Sequence, residues 1–142
     1  ILAAGNPKGI KTMADIGRED VRFVNRNAGS GTRIWLDAEL RRQKLPVEKI
    51  NGYGSQVKTH SEAARIIHEN KADVSLGLQA AARQHGLDFI PLFEERYDLV
   101  LPREEEKQLN PLLDFIQTAG FRAMLKLLGG YNPSHSGEQV GI

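Results

Sequence analysis

The sequence contains no cysteine among its 142 residues. That absence excludes a disulfide framework, a zinc or iron–sulfur site held by thiolates, and catalysis by a cysteine nucleophile. Long apolar runs are missing as well: none approaches the roughly 20 residues that a membrane-spanning helix needs, and no charged-then-apolar signal segment opens the chain. The chain begins at Ile1, inside the apolar stretch 1–4 that is typical of the middle of a strand, so we expect it to be a fragment or processed piece.

Motifs of hydrolytic and nucleotide enzymes are also lacking. No H-E-x-x-H or G-x-S-x-G pattern occurs, and the acidic residues offer no clear catalytic pair. Residues 5–12 resemble a Walker A loop, but the glycine and lysine spacings are wrong and Pro7 removes a backbone donor. His68 and His85 are interpreted as surface helix residues. We therefore predict no catalytic residue, no metal ligand set and no cofactor.

The composition is that of an ordinary globular domain, with 40% hydrophobic and 26% charged residues and a formal net charge of +1. The charge is unevenly spread: residues 1–71 hold 13 Lys/Arg against 8 Asp/Glu, and residues 72–142 hold 6 against 10. This basic excess is too small and too interspersed for a nucleic-acid surface. It suits a small anion better.

Hydrophobic periodicity predicts short strands alternating with amphipathic helices, the pattern of an α/β domain with a mostly parallel sheet. Thr59 followed by Glu62 is a candidate capping box at the start of one helix. The predicted strands are 21–25, 72–76, 88–92 and 97–101. The predicted helices are 30–44, 61–70, 78–84, 111–116 and 121–128.

A candidate anion cradle lies in the run 25–33, between a predicted strand and a predicted helix. Glycines there let backbone N–H groups approach a ligand, and the helix dipole adds partial positive charge. Ser30, Gly31 and Thr32 would supply N–H and hydroxyl donors, and Arg26 or Arg33 a charged fork. The same residues also suit a plain helix cap after a glycine turn, and the sequence leaves both interpretations open.

Three further residues are weaker candidates for lining a ligand site. His60 stands at the turn before a helix, where the carboxyl ends of parallel strands gather ligands. Gly77 ends a predicted strand and either admits a ligand to the backbone or only makes a tight turn. Tyr97 opens another predicted strand, where its ring would face a cleft or cover the sheet edge.

Several stretches together resemble, in order and spacing, a periplasmic-binding-protein-like domain of prokaryotic molybdate metabolism. That domain occurs fused to MoeA-type molybdopterin-biosynthesis proteins and to helix-turn-helix regulators of LysR-like type, and it is similar to molybdate- and tungstate-binding proteins. The resemblance spans about residues 5–131. It is carried by Gly5-Asn6-Pro7, Gly9-Ile10, Asn25-Arg26, Gly29-Ser30-Gly31-Thr32-Arg33, Thr59-His60, Lys71-Ala72-Asp73-Val74, Gly77, Leu87-Asp88-Phe89-Ile90-Pro91-Leu92 and Glu95-Arg96-Tyr97-Asp98-Leu99.

The resemblance implies an α/β fold of the type II periplasmic-binding-protein kind, with one complete lobe and the C-terminal part of the other. The expected divisions are a crossover segment (1–11), a ligand-binding lobe (12–93), a return crossover strand with first-lobe helices (94–131) and a loose tail (132–142). It also implies that Arg26, Ser30, Gly31, Thr32, His60, Gly77 and Tyr97 contact the ligand. An upstream segment of the family domain is absent here, so the clamp is expected to be incomplete.

The function expected from this resemblance is non-catalytic binding or sensing of a small oxyanion, molybdate or tungstate first, within a larger cytoplasmic protein. Two alternatives stay open: an accessory domain of a molybdopterin-cofactor enzyme, and a solute-binding protein for transport. The expected partners are the oxyanion, further copies of the chain and a fused or upstream domain. Membrane contact and direct nucleic-acid contact are not expected.

Overall fold

The computed structural model describes residues 1–140, which divide into two compact units, Ile1–Pro91 and the chain from Leu92 onward. The segment 1–11 belongs to the first unit, where Leu2 exchanges backbone hydrogen bonds of 2.9 and 3.1 Å with Asp88. No helix within residues 1–140 is both long and apolar enough to cross a bilayer. The finer division into lobes and crossovers stays a prediction.

The first unit is built on a small mixed sheet, with parallel pairing around residues 25–26 and antiparallel pairing at Leu2. Strand β1 (Asn25–Arg26) runs parallel to β2 (Gln56–Val57), with Asn25 opposite Gln56 and Arg26 opposite Val57. On the other side of β1, single bridges extend the sheet: Phe23 pairs parallel with Val74, and Leu2 pairs antiparallel with both Val74 and Asp88. Mixed helix and strand content of this kind is compatible with the expected α/β class.

Neighbouring residues of this sheet point to opposite faces, and helices bury both faces. Phe23 belongs to a core cluster with Leu36 and Leu40 of helix α1 (Gly31–Arg42). Val24 belongs to the opposite cluster, which contains buried alanine and isoleucine side chains of α2 (His60–His68) and α3 (Gln79–Gln84). The sheet is therefore covered by α1 on one face and by α2 and α3 on the other.

The helices begin where the sequence predicts caps. Ser30 Oγ accepts the Arg33 N–H at 3.3 Å at the start of α1, and Thr59 Oγ1 accepts the Glu62 N–H at 3.0 Å at the start of α2. The Glu62 carboxylate, however, accepts from the Lys58 N–H at 3.0 Å, so the reciprocal half of the capping box is displaced by one residue. The connections into α1 and α2 are thus fixed by side-chain bonds, whereas α3 begins at Leu78 without a side-chain cap.

The second unit contains α4 (Glu106–Ile116) and α5 (Ala119–Leu128), preceded by a 3₁₀ turn (Arg103–Glu105). The Phe115 and Phe121 rings meet edge to face, with centroids 5.4 Å apart. Neither helix buries a side chain fully. The large apolar side chains of these helices that are exposed are Leu112, Phe115, Met124, Leu127 and Leu128.

Some predicted elements differ from the structure. The strand at 88–92 is reduced to the Asp88 bridge, and the segment 97–101 forms no β-ladder with any residue between 1 and 140. A strand needs a hydrogen-bonded neighbour, which the β-rich composition of these segments does not supply. Helix α4 starts five residues before Pro111, which lies inside it rather than at its start. Residues 141–142 of the predicted loose tail lie outside the described residues.

Candidate functional site

The candidate site forms at one edge of the sheet of the first unit. β1, β2 and the segment 74–76 all run in the same direction, and each leads through a short loop into the N-terminus of a helix: α1, α2 and α3. The carboxyl ends of parallel strands are where α/β proteins gather ligands, because the loops and helix N-termini there present unpaired donors. Five of the seven predicted site residues lie on the loops and helix starts of this edge, and Arg26 ends β1 beside them.

The loop from β1 to α1 ends at Ser30, and Gly31 and Thr32 are the first two residues of the helix. The left-handed residue of the loop is Gly29, at φ +85°, a conformation that favours glycine. Ser30 Oγ donates to Asn27 O at 2.9 Å while it caps α1, so its hydroxyl is fully used. The N–H groups of Gly31 and Thr32 lie in the first helical turn and have no intrahelical acceptor. Ser30 is thus a helix cap, and the free donors come from the two residues after it.

Arg26, the last residue of β1, carries the most unusual side chain of the site. It is only 9% exposed. Its Nη2 donates to the Lys58 carbonyl at 2.8 Å, and its Nη1 lies 2.8 Å from His60 Nε2 and 2.9 Å from His60 Nδ1. Its Nε–H is buried and has no acceptor among the described residues. No carboxylate of residues 1–140 forms an ion pair with it.

His60, the first residue of α2, faces this guanidinium and is uncharged. Burial, assisted by the positive charge of Arg26, lowers the pKa of His60 to about 4. A guanidinium only donates, so the imidazole nitrogen that receives Arg26 is unprotonated and the other nitrogen carries the ring hydrogen. His60 therefore accepts from Arg26 with one nitrogen, while the nitrogen that carries the ring hydrogen lies almost equally close to the same guanidinium.

Gly77 completes the group from the third strand-to-helix loop. A Cβ placed on Gly77 would lie 3.3 Å from His60 Nδ1 and 2.5 Å from Ile1 Cδ1. The backbone of Gly77 thus approaches the imidazole closely, and a side chain there has no room. Arg26, His60 and Gly77, which are far apart in the sequence, meet at this point.

A second cation, Arg33, lies beside the site and is the alternative to Arg26 that the sequence offers. Arg33 on α1 donates from Nε to Asp37 Oδ1 at 2.8 Å, lies 4.2 Å above the centre of the Tyr53 ring, and reaches the Arg26 carbonyl at 3.4 Å. Tyr53 also donates to Asp37 at 2.7 Å. The charge of Arg33 is balanced by Asp37, so Arg33 supports the β1–α1 loop instead of presenting a free charge. The Arg–Asp spacing of four residues on a helix is the sequence signal for this pair.

Tyr97 is placed differently from the other candidates. It belongs to the second unit, is 71% exposed, and its hydroxyl lies 3.4 Å from a Glu95 carboxylate oxygen. The contact expected between Tyr97 and a ligand stays a prediction. Within the described part of the chain, no group of three or more His, Asp or Glu is arranged to hold a metal ion.

The chain is similar to two uncharacterized bacterial proteins. It is 35% identical over 136 residues to a Bacillus subtilis (strain 168) protein named Uncharacterized protein YvgK, covering 96% of this chain but only 44% of that protein. It is 33% identical over 110 residues to a Clostridium pasteurianum protein named for the 5′ region of a 2Fe-2S ferredoxin gene, covering 75% of this chain and 97% of that protein. No solved structure matches.

A family model decides the classification. The model described as the PBP superfamily domain matches residues 1–117, most of the chain. Domains of this periplasmic-binding-protein-like superfamily generally bind ligands and do not catalyse reactions. The chain belongs to the PBP superfamily.

Proposed function

We propose that the first unit binds a small oxyanion, without catalysis, at the edge formed by Arg26, His60 and Gly77. The observation that carries this proposal is Arg26, a buried cation that, among residues 1–140, has neither a carboxylate partner nor an acceptor for its Nε–H. A buried charge that is left unpaired costs several kcal/mol. A bound anion would offset that cost and accept the free Nε–H.

The surroundings of Arg26 favour an anion over a neutral ligand. His60 is uncharged and brings no negative charge to the site, while the start of α2 offers backbone donors at the positive end of the helix dipole. The free N–H groups of Gly31 and Thr32 stand at the start of α1, directly after the loop that follows Arg26. Oxygens that only accept hydrogen bonds fit this set of donors.

We further propose molybdate or tungstate as the ligand to test first, within a larger cytoplasmic protein that senses or delivers it. The resemblance of the motifs to domains of molybdate metabolism supports this choice, as does membership of a superfamily of ligand-binding domains. Because the chain spans 44% of the length of its Bacillus subtilis relative, the activity of a whole parent protein is part of the proposal.

Calorimetric titration of molybdate, tungstate, sulfate and phosphate into the 142-residue chain tests the proposal. A charge-assisted hydrogen bond contributes about 1.5–3 kcal/mol, so Arg26→Gln should weaken binding about 10- to 150-fold. The matched control is Arg65→Gln, which removes an exposed cation from α2 that is paired with Glu69. Arg65→Gln should bind like the parent chain.

Two further variants locate the anion. Thr32→Ala, which removes the hydroxyl and keeps the backbone N–H, should weaken binding about tenfold if the Thr32 hydroxyl contacts the ligand, whereas His60→Asn should weaken it if the ligand lies against α2. No binding of any of the four anions, or equal binding by the parent chain and Arg26→Gln, would contradict the proposed function.

A further inference from the structure

Two histidine rings lie side by side at the end of the first unit's α2–α3 pair. His68 is the last residue of α2 and His85 is the C-cap of α3. Their ring centroids are 5.6 Å apart, and the ring planes are inclined at 47°. Neither ring has a hydrogen-bond partner among residues 1–140, whereas His60 is engaged by Arg26 and His135 lies 2.9 Å from a Glu138 oxygen.

We propose that His68 and His85 together bind one divalent cation of the imidazole-preferring class, Cu²⁺, Ni²⁺ or Zn²⁺. For Zn²⁺, metal–nitrogen bonds of about 2.0–2.1 Å at a tetrahedral angle would place two imidazole centroids about 5.2 Å apart, whereas the roughly 90° angle that Cu²⁺ and Ni²⁺ prefer would place them about 4.5 Å apart. The observed 5.6 Å is within about 0.4 Å of the Zn²⁺ spacing, so the two rings, one on an exposed residue and one on a half-buried residue, need to turn one nitrogen each toward the shared ion rather than approach one another. Water would fill the remaining coordination positions, as in an open site.

The electrostatics of the two helix ends favour a cation there. His68 and His85 both stand at helix C-termini, where the negative end of the helix dipole lies. The neighbouring carboxylate of Glu69 is already shared by Arg65 and Lys71, each at 2.7 Å. One carboxylate offsets only one of these two cations, so the trio carries a net charge of +1, and the attraction for a metal must come from the imidazole nitrogens and the helix C-termini.

The backbone beneath the pair is held in place by packing. α2 and α3 contribute Ala63, Ala64, Ile67, Ala81 and Ala82 to one buried cluster. Small side chains let these helices approach closely, and interior packing tolerates little movement. The two imidazoles are therefore presented at a fixed spacing, so the second metal–nitrogen bond costs little additional ordering.

The test is a titration of Cu²⁺ into the 142-residue chain in a buffer that does not chelate metals, followed by visible absorption and by nitrogen hyperfine splitting in electron paramagnetic resonance. We expect saturable 1:1 binding with two imidazole nitrogens. His68→Ala and His85→Ala should each weaken binding tenfold or more, since each leaves a single ligand. The matched control, His135→Ala, removes an exposed imidazole elsewhere and should bind like the parent chain.

A second measurement separates this site from the anion site and from a folding defect. Zn²⁺ should raise the unfolding temperature of the parent chain and of Arg26→Gln, because a metal that binds the folded state stabilises it. It should not raise that of His85→Ala, whose unfolding temperature without metal should equal that of the parent chain. Equal Cu²⁺ affinity of the parent chain and both His→Ala variants, or no saturable binding by the parent chain, would overturn the proposal.

Discussion

Adding one methyl group at Gly77 tests how tightly the candidate site is packed. In Gly77→Ala, the new Cβ would lie 2.5 Å from Ile1 Cδ1, whereas unstrained carbon contacts are about 3.5–4.0 Å. Ile1 is 6% exposed and packed in a core cluster, so it has little room to move by the required ångström or so. Gly77 does not have a positive φ, so backbone strain adds nothing. Overpacking of this kind typically costs about 1–3 kcal/mol.

Urea unfolding of Gly77→Ala measures that cost against a matched glycine. Gly54→Ala is the control, because a Cβ at Gly54 meets nothing within 4 Å and its φ is not positive. Gly54→Ala should leave the free energy of unfolding within about 0.5 kcal/mol of the parent chain. Ile1→Val removes the clashing Cδ1 and should restore part of the loss in the double variant. If Gly77→Ala and Gly54→Ala are equally stable, the close packing of Gly77 against Ile1 and His60 is refuted.

Three further outcomes follow from charge and burial. Hydrogen bonds from Arg22 hold the pKa of the buried Asp73 below its ordinary value. The contribution of Asp73 to stability is therefore full above about pH 5 and is lost as the pH falls below about 4. Asp73→Asn should lose that acid-dependent step in urea unfolding. The pKa of His60 is lowered to about 4, so His60 binds fewer protons in the folded than in the unfolded chain between pH 4 and 6.5. Stability should therefore rise with pH across that window, and His60→Gln should remove the rise. An unchanged slope in His60→Gln would be evidence against a buried neutral ring. The isolated chain should self-associate through the exposed apolar side chains of α4 and α5, and Leu127→Glu should weaken this association in sedimentation, whereas a parent chain that is monomeric at micromolar concentration would exclude it.

Local signals in the sequence were sufficient to predict the helices of the first unit. Ser30 and Thr59 are capping residues whose hydroxyls accept backbone N–H groups in the structure, and the predicted helices at 30–44 and 61–70 correspond to α1 and α2. Capping depends on residues three or four positions apart, which a single sequence displays. The predicted strands at 21–25 and 72–76 also meet, through the bridge between Phe23 and Val74.

The predictions of a strand at 97–101 and of a helix start at Pro111 were less successful. The segment 97–101 has the composition of a strand but no ladder partner within residues 1–140. Pro111 was interpreted as a helix start, but the preceding acidic residues begin the helix and the proline is accommodated inside it. Local preference cannot decide such cases, because a strand needs a neighbour and a helix can tolerate one missing N–H at a cost.

In the candidate site, too, residues of a local motif could be predicted from the sequence, whereas contacts between distant residues could not. Ser30, Gly31 and Thr32 were predicted from a contiguous motif, and the structure places them at the start of α1. The contact between Arg26 and His60 joins residues 34 positions apart, so the sequence could name both residues but could not show that they meet. Whether Arg26 has a carboxylate partner depends on where each carboxylate lies in space, and a single sequence does not show that.

The most direct test of the central claim observes the Arg26 Nε–H itself. Titration of molybdate, tungstate or sulfate into ¹⁵N-labelled chain, followed through the arginine Nε–H resonances, should shift the Arg26 signal saturably as its missing acceptor arrives. The Arg33 Nε–H, already bound to Asp37, is the internal control and should stay nearly in place. An Arg26 signal that does not move at saturating anion, or that moves only together with the exposed arginines, would contradict an anion site at Arg26.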